Sequence, residues 1–429
     1  MFIFSISATI LQMLYERFAT ANIRASLSDT PVVLIRGARQ CGKSTLVKLI
    51  GDQLQPPATY FTLDRVTTLD AVRQAGSAFF EPYRDRTIIV DEVQRSPDIF
   101  LHIKVSVDEN RRPGRFILTG SADPLQMPNL GDSLAGRMAI TELQPLSQDE
   151  LAGQPAHFID AAFATDFRPP QATNFDWIQR MVTGGYPEAV ERSDHQRRLQ
   201  WFENYVNSLI DRDARNLQNI QQPADMERLL RLLAAQSASL LNYASLARSI
   251  GLPQATLKSY FALLHKLLVV TTLPAWVAAN ASSRVTKSPK TYVCDTGLMA
   301  YLLDQNSERL ATPSSSTQLG GMLETFVVNE LRKQMGWNYT RVRPFHFRSH
   351  ADDEVDIVLE GPAGRIVGIE VKATHQPGGR DFNGLRALQE TARENFLRGV
   401  LLYTGDQVLP FGPDLWAVPL SCLWGTTNH

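Results

Sequence analysis

The stretch GARQCGKST, residues 37–45, decides the fold of this chain. It matches the pattern GxxxxGK[ST], follows the apolar run VVLI at 32–35 and leads into a helical pattern. Its glycines let successive backbone N–H groups point at phosphate oxygens, and the new helix adds its positive end. A glycine-rich turn that carries a lysine by coincidence is the disfavoured alternative. We therefore expect a nucleotide phosphate loop formed by Gly37, Ala38, Arg39, Gln40, Cys41, Gly42, Lys43, Ser44 and Thr45.

Within this loop, two residues have predicted chemical roles towards ATP. Lys43 is expected to reach the β- and γ-phosphates, and Ser44 is expected to ligate Mg²⁺. ATP and Mg²⁺ are thus the predicted cofactors.

Around the loop, short apolar runs alternate with helical patterns, which is typical of a parallel sheet with helices on both faces. We predict an α/β fold with one P-loop domain over residues 1–146. The predicted strands are VVLI at 32–35, TYFTL at 59–63, TIIV at 87–90, RFIL at 115–118 and AITEL at 139–143.

The run TIIVDEVQ at 87–94 ends in two adjacent carboxylates, at the sheet edge where parallel α/β sheets bind ligands. We expect Asp91 to hold the magnesium shell and Glu92 to orient and deprotonate the attacking water. Seen alone, such a pair is more often a solvated turn. The phosphate loop makes the catalytic interpretation the better one.

Three further polar residues follow the next strands. Thr119 and Ser121 would sense the γ-phosphate or position water, or they would only form a turn. Arg137, in LAGR at 134–137, would stabilise transition-state charge on a neighbouring subunit, or it would pair with Glu142 or another acid.

The rest of the chain divides into three predicted parts. A helical lid covers 147–222, and a winged-helix module covers 223–312, with helices at Tyr243 to Ile250 and Ala255 to Leu268. The small polar stretch ATPSSSTQLGG at 311–321 indicates a boundary, and a second α/β domain follows over 313–429.

Composition bounds the function. The formal charge of −1 leaves nucleic-acid binding to a local basic face, and three scattered cysteines indicate neither a disulfide framework nor a zinc ribbon. These features favour a cytoplasmic protein. The apolar opening MFIFSISATILQML is expected to form a helix on the ATPase core, and no membrane span is predicted.

At this point the chain resembles the bacterial and archaeal AAA-14 ATPases with a C-terminal DUF4143 region. The resemblance covers nearly the whole chain and is carried by GARQCGKST, TIIVDEVQ, LTGSA, LAGR followed by LQPLSQDE, and GGYPE. It implies an AAA+ ATPase whose DUF4143 region is similar to a winged helix followed by a restriction-endonuclease-like domain of the PD-(D/E)xK type.

The resemblance also implies a second site. Glu324 on a helix, Asp356 in EVDIVLE, and Glu370 with Lys372 in IEVKA are similar to a metal-dependent nuclease core. Glu324, Asp356 and Glu370 would then bind a divalent metal ion, and Lys372 would hold the nucleophile or neutralise developing charge. The alternative is that these are ordinary charged residues on half-exposed strands. Phosphate contacts nearby would come from GGR at 378–380, Arg341, Arg343 and Arg348.

Two functions remain open from sequence. The first is an ATPase coupled to DNA binding, remodelling or cleavage. The second is a nucleotide-controlled switch that binds a protein partner through a catalytically silent nuclease-like domain. A homo-oligomer is expected in either case, because AAA+ sites are commonly completed by an arginine of the next subunit.

Overall fold

The computed structural model describes residues 15–122, 134–172, 176–214, 222–278, 287–312, 316–349 and 351–425. The helix predicted for the opening stretch lies outside the described residues. Among the described helices, none combines the length and the apolar character that crossing a membrane requires.

The N-terminal part of the chain contains a parallel five-stranded sheet, which confirms the predicted P-loop architecture. The strand order is β2-β3-β4-β1-β5, and every pairing is parallel. The central strands are buried because helices cover both faces, which explains their continuous apolar runs. The strands are β1 (Val32–Arg36), β2 (Thr59–Thr62), β3 (Ile88–Asp91), β4 (Phe116–Gly120) and β5 (Met138–Glu142). The helices are α1 (Thr20–Asp29), α2 (Lys43–Asp52), α3 (Val66–Ala75) and α4 (Ile99–Glu109).

Short helices follow the sheet in the region predicted as a lid. The first begins at a capping box, in which the Ser147 hydroxyl accepts from the Glu150 N–H and the Glu150 carboxylate accepts from the Ser147 N–H. These helices are α5 (Gln148–Ala152), α6 (Phe158–Phe163), α7 (Trp177–Thr183), α8 (Pro187–Val190) and α9 (His195–Ser208), which continues as a π-helical segment over Leu209–Ala214.

The middle module contains the two predicted helices of the helix-turn-helix pattern and a three-stranded sheet of order β6-β8-β7, whose first strand precedes these helices. Its assignment as a winged helix stays a prediction. The helices are α10 (Pro223–Ala235), α11 (Tyr243–Ile250), α12 (Gln254–Lys266), α13 (Thr296–Leu302) and α14 (Ser307–Leu310). The strands are β6 (Ser239–Leu240), β7 (Val270–Leu273) and β8 (Lys290–Val293).

The C-terminal part has its own six-stranded sheet, of order β13-β14-β12-β11-β10-β9, as the α/β prediction required. The antiparallel pair β10–β11 carries the predicted D and ExK positions. Helix α15 begins at Ser316, so the second half of the predicted boundary stretch is helical. The elements are α15 (Ser316–Gln334), β9 (Arg343–Arg348), β10 (Glu354–Glu360), β11 (Ile366–Lys372), α16 (Asn383–Ala392), β12 (Phe396–Tyr403), β13 (Leu409–Pro410) and β14 (Leu415–Pro419).

The C-terminal sheet shares a separate core with α16, and a larger apolar core joins the lid helices, the middle module, α15 and one face of that sheet. This larger core runs from Ala122 through the lid helices and the middle module to Trp424, and α15 contributes a buried ridge to it. The first sheet has separate cores on its two faces. Helix α15 therefore belongs to the same packed body as the lid and the middle module.

Candidate functional site

The phosphate loop lies between β1 and α2 and depends on backbone geometry that glycine permits. Gly42 has φ +96°, in the left-handed region. A Cβ at Gly37 would lie 2.0 Å from the Leu143 carbonyl oxygen at the end of β5. The Cys41 thiol donates to the same carbonyl at 3.2 Å. The loop is thus pressed against the segment that follows β5.

Lys43 is the first residue of α2, and its side chain is buried, with 4% exposed. Its Nζ donates to the carbonyl oxygens of Gly37 at 3.0 Å and Ala38 at 2.9 Å. Both acceptors are neutral. Phosphate oxygens would replace them with a gain in charge pairing.

The Asp91 carboxylate accepts hydrogen bonds from hydroxyl groups of three elements. The Ser44 hydroxyl donates to its Oδ1 at 3.1 Å, Thr119 donates to the same oxygen, and Tyr60 donates to Oδ2 at 2.5 Å. Burial and the Asp91 carboxylate raise the pKa of Tyr60 above its usual value. Tyr60 was not predicted, because a tyrosine inside the strand run TYFTL gives no sign of facing an acid on the neighbouring strand.

Glu92 lies just beyond β3 in a left-handed conformation, with φ +63°, and is half-buried. The Ser121 hydroxyl donates to its Oε2 at 3.1 Å, and the Gln94 amide donates to the same oxygen. Its backbone N–H donates to the Thr119 hydroxyl at 3.2 Å. The structure therefore brings Thr119 and Ser121 to the two carboxylates, and adds Gln94.

These donors fit a nucleotide with Mg²⁺. The Ser44 hydroxyl and the Asp91 carboxylate are adjacent hard oxygen groups, which Mg²⁺ prefers. Both lie beside the lysine of the phosphate loop, at the carboxyl edge of a parallel sheet. Of the remaining loop residues, Gln40 has a left-handed backbone, with φ +61°, and Thr45 is exposed.

A cavity of about 340 Å³ adjoins the loop and extends it towards the lid. It is lined by Tyr15, Gly42, Thr45, Leu46, Leu49 and Pro187 among others. Charged side chains line it as well, among them Arg17, Arg24 and Glu191.

Arg17 closes one side of this cavity and was missed by sequence reasoning. Its guanidinium donates to the Cys41 carbonyl at 2.7 Å, to the Gln144 carbonyl at 2.6 Å and to Glu150 at 3.1 Å. It therefore ties the phosphate loop to the start of the lid. A single arginine in the stretch YERF carries no motif that would have revealed this.

Arg137 forms an ion pair with Asp108 at 2.8 Å. Glu142, the acid named as its possible partner, instead pairs with Arg36 and with Arg332 of α15, each at 3.1 Å. The role of Arg137 towards a neighbouring subunit stays a prediction.

The C-terminal residues named from the nuclease resemblance lie close together, and a lysine from the middle module lies among them. The Nζ of Lys290, on β8, is 2.8 Å from Glu324, 2.5 Å from Glu354 and 3.0 Å from Asp356. Lys372 pairs with Glu370 at 2.7 Å. Lys290 stands in the stretch PKTYV, where no sequence pattern indicated a partner for the acids.

Burial and mutual repulsion change the pKa values of this cluster. Burial, followed by the Asp356 charge, raises the pKa of Glu370 to about 8 and that of Glu324 well above its usual value. Burial alone would lower the pKa of Lys290, but Asp356, Glu324 and Glu354 raise it above the ordinary lysine value. Lys290 is therefore held as an ammonium ion.

The arrangement does not fit a bound divalent metal. Within the described residues, no group of three or more histidine, cysteine, aspartate or glutamate side chains is disposed to hold a metal ion. The Lys290 ammonium lies among the carboxylates that would be the ligands.

Two of the four predicted phosphate-contacting arginines form ion pairs within the protein. Arg343 pairs with Glu360 and Arg348 with Asp352, both at 3.0 Å, while Arg341 and Arg380 are exposed.

In the middle module, helix α12 is the second helix of the predicted helix-turn-helix. The ammonium of its Lys258 lies 5.5 Å from the centre of the Tyr243 ring.

The fold and the phosphate-loop site define a P-loop ATPase of the AAA type. Family models match as an AAA domain over residues 29–152, as the domain of unknown function DUF8612 over 174–309 and as the domain of unknown function DUF4143 over 319–423. The chain belongs to the AAA-14 family with a C-terminal DUF4143 region, and it binds nucleotide as that family does.

Relatives extend over almost the full length. The chain is 31% identical over 415 residues to Uncharacterized protein Rv2008c of Mycobacterium tuberculosis and to Uncharacterized protein Mb2031c of Mycobacterium bovis, covering 96% of this chain and 86% of each relative. Among solved structures, the Walker-type ATPase PABY2304 of Pyrococcus abyssi matches at 15% identity with a TM-score of 0.41, covering 67% of this chain and 96% of that one. The RuvB Holliday junction branch migration motor of Thermotoga maritima matches at 17% identity with a TM-score of 0.28, covering 59% and 89%.

Proposed function

We propose that this protein hydrolyses ATP in a Mg²⁺-dependent reaction at the phosphate loop. The observation that carries the proposal is the meeting of Ser44, Asp91 and Glu92 at one sheet edge beside Lys43. A phosphate-binding lysine, a metal-ligating pair and a second carboxylate are the parts that P-loop hydrolysis needs.

In the proposed reaction, Lys43 exchanges the carbonyls of Gly37 and Ala38 for β- and γ-phosphate oxygens. Mg²⁺, held by Ser44 and Asp91, would neutralise charge on the phosphates. Glu92 accepts a proton from water as the water oxygen bonds to the γ-phosphorus, and the bond from that phosphorus to the bridging oxygen breaks to release ADP. Ser121 and Gln94 orient the Glu92 carboxylate for this transfer.

The nucleotide state would reach the C-terminal half through α15. Arg332 of this helix shares Glu142 with Arg36, the last residue of β1 and the neighbour of Gly37. Lys333 donates to the Leu146 carbonyl at 3.0 Å, and Glu330 accepts from the Gln148 N–H at 2.8 Å. A shift of the loop or of the lid would therefore act on a helix that also carries Glu324.

Two outputs for this coupling remain proposals: DNA engagement and a protein-partner switch. The engaged arginines of β9 and the few cations of α12 favour the switch. Assembly into a homo-oligomer in which Arg137 completes a neighbouring site is a further prediction.

The experiment is phosphate release by the purified full-length protein in Mg²⁺ and in EDTA, with and without single- and double-stranded DNA. We expect turnover that requires Mg²⁺ and is lost in Lys43→Ala. Turnover that persists in that variant would overturn the assignment of the site. DNA-stimulated turnover would favour the nucleic-acid output, and indifference to DNA would favour the switch.

A further inference from the structure

The C-terminal cluster contains a cation of its own. The Lys290 side chain is almost fully buried, with 2% exposed, and its ammonium contacts carboxylates from two different elements, Glu324 on α15 and the pair Glu354 and Asp356 on β10. An ammonium group has three N–H donors, and these three carboxylates supply an acceptor for each.

Backbone pairing fixes the position of Lys290. Strand β8 lies between β6 and β7. The chain beyond β7 then joins the C-terminal sheet, because the Trp276 N–H donates to the His346 carbonyl at 2.6 Å and the His346 N–H donates to the Pro274 carbonyl at 2.9 Å. Lys290 therefore enters the cluster from the central strand of the three-stranded sheet, next to the strand β7 whose continuation pairs with β9.

The carboxylate oxygens that a metal would use are already hydrogen-bonded within the protein. Asp356 accepts from Lys290 at Oδ1 and from the Val371 N–H at Oδ2, at 3.0 Å each. Glu370 accepts from Lys372 at 2.7 Å and from the Asp356 N–H at 3.3 Å. Oε1 of Glu324 accepts from Lys290 and from the Tyr292 hydroxyl, which is 2.7 Å away. A metal ion would have to displace these donors.

We infer that the Lys290 ammonium is the resident cation of this cluster, in the position where the nuclease resemblance implies a divalent metal. The cluster then joins the middle module to the C-terminal sheet and does not cleave nucleic acid. A buried ammonium among several carboxylates compensates their charge as a metal would, but it cannot lower the pKa of a bound water as a metal ion does. This inference concerns a site apart from the phosphate loop and does not depend on ATP hydrolysis.

The test is a titration of the full-length protein with Mn²⁺. Binding is measured as the loss of the electron paramagnetic resonance signal of the free ion. The titration is done without nucleotide and in an Asp91→Asn background, so that the carboxylate expected to hold Mg²⁺ beside the phosphate loop is removed. We expect no stoichiometric binding with Lys290 present. In Lys290→Ala we expect one Mn²⁺ per chain, which is lost again when Asp356→Asn is added. Lys258→Ala, which removes an exposed lysine, should bind none.

Three results would overturn the inference. One is stoichiometric Mn²⁺ binding in the presence of Lys290 that disappears in Asp356→Asn. The second is the failure of a folded Lys290→Ala protein to gain a site, because the lysine would then not stand in for a metal. If the Lys290→Ala variant does not fold, it is replaced by Lys290→Met/Glu354→Gln, which removes one charge of each sign.

The third result that would overturn the inference is nucleic-acid cleavage in Mg²⁺ or Mn²⁺ by the unaltered protein that is lost in Asp356→Ala.

Discussion

Lys43 and Lys290 are both buried lysines close to carboxylates, yet their surroundings are opposite in kind. Lys43 donates to two neutral carbonyls of its own loop, and the nearby acids hold hydroxyl groups instead. Lys290 donates to carboxylates from α15 and β10. The first lysine gains charge pairing when an anion arrives. The second already has it, so an added cation or anion would only disturb the cluster. Both residues are buried lysines, so residue type and burial do not distinguish the proposed ligand site from the structural cluster. The charge of the groups that each lysine already contacts does distinguish them.

The largest expected effect is on ATP hydrolysis and tests the proposed nucleotide site. Glu92→Gln should slow ATP hydrolysis by about 10²–10⁴-fold, because a general base contributes that much, while ATP binding is retained. Phosphate release and fluorescent-nucleotide titration measure the two properties. Glu109→Gln, at an exposed position at the end of α4, is the matched control. Unchanged turnover in Glu92→Gln would remove this residue from the base role.

The next largest effect is on protein stability and tests the C-terminal cluster around Lys290. Lys290→Met should lower the free energy of unfolding by about 3–5 kcal/mol, because it leaves buried carboxylates without their cation. ATP affinity should change little. Thermal and chemical denaturation of the full chain measure the loss, and Lys258→Met provides an exposed-lysine control. A stability equal to that of the unaltered protein would show that the ion pairs contribute nothing.

A smaller effect uses pH. The pKa of Glu370 is about 8 in the folded protein, above the ordinary value of 4.5. Between these values the folded chain holds a proton that the unfolded chain has lost, so this residue makes stability fall as pH rises. Glu370→Gln removes that loss and should gain about 1–2 kcal/mol relative to the unaltered protein between pH 6 and 9. Melting temperatures of both proteins across this range would reveal it, and parallel curves would contradict it.

The smallest effect probes the connection between the two sites. Arg332→Ala should change ATP turnover by at most about fivefold, because a half-exposed ion pair contributes no more than about 1 kcal/mol. Arg309→Ala, which removes an exposed ion pair with Asp304, is the control. Equal turnover in the two variants would argue against a path through Glu142.

The two sites also differ in how far sequence could predict them. The phosphate loop, Asp91 and Glu92 lie at strand ends, where the order of strand, loop and helix places them without knowledge of distant contacts. Asp356 and Glu370 lie within strands, and their positions were expected from the resemblance to a nuclease core instead. Lys290 and Arg17 could not be predicted, because their roles arise from packing between modules that are far apart in the chain. Tyr60 is an intermediate case, since its strand was predicted and its hydrogen bond to Asp91 was not.

Helix α15 also bears on how such chains are inherited. A fragment limited to 319–423 would leave Glu330 without the Gln148 N–H and Lys333 without the Leu146 carbonyl. It would also turn the apolar ridge of Met322 and Phe326 towards water. A recombination event that exchanges the ATPase domain must therefore bring a matching segment after β5, so the two halves of the gene are expected to descend together.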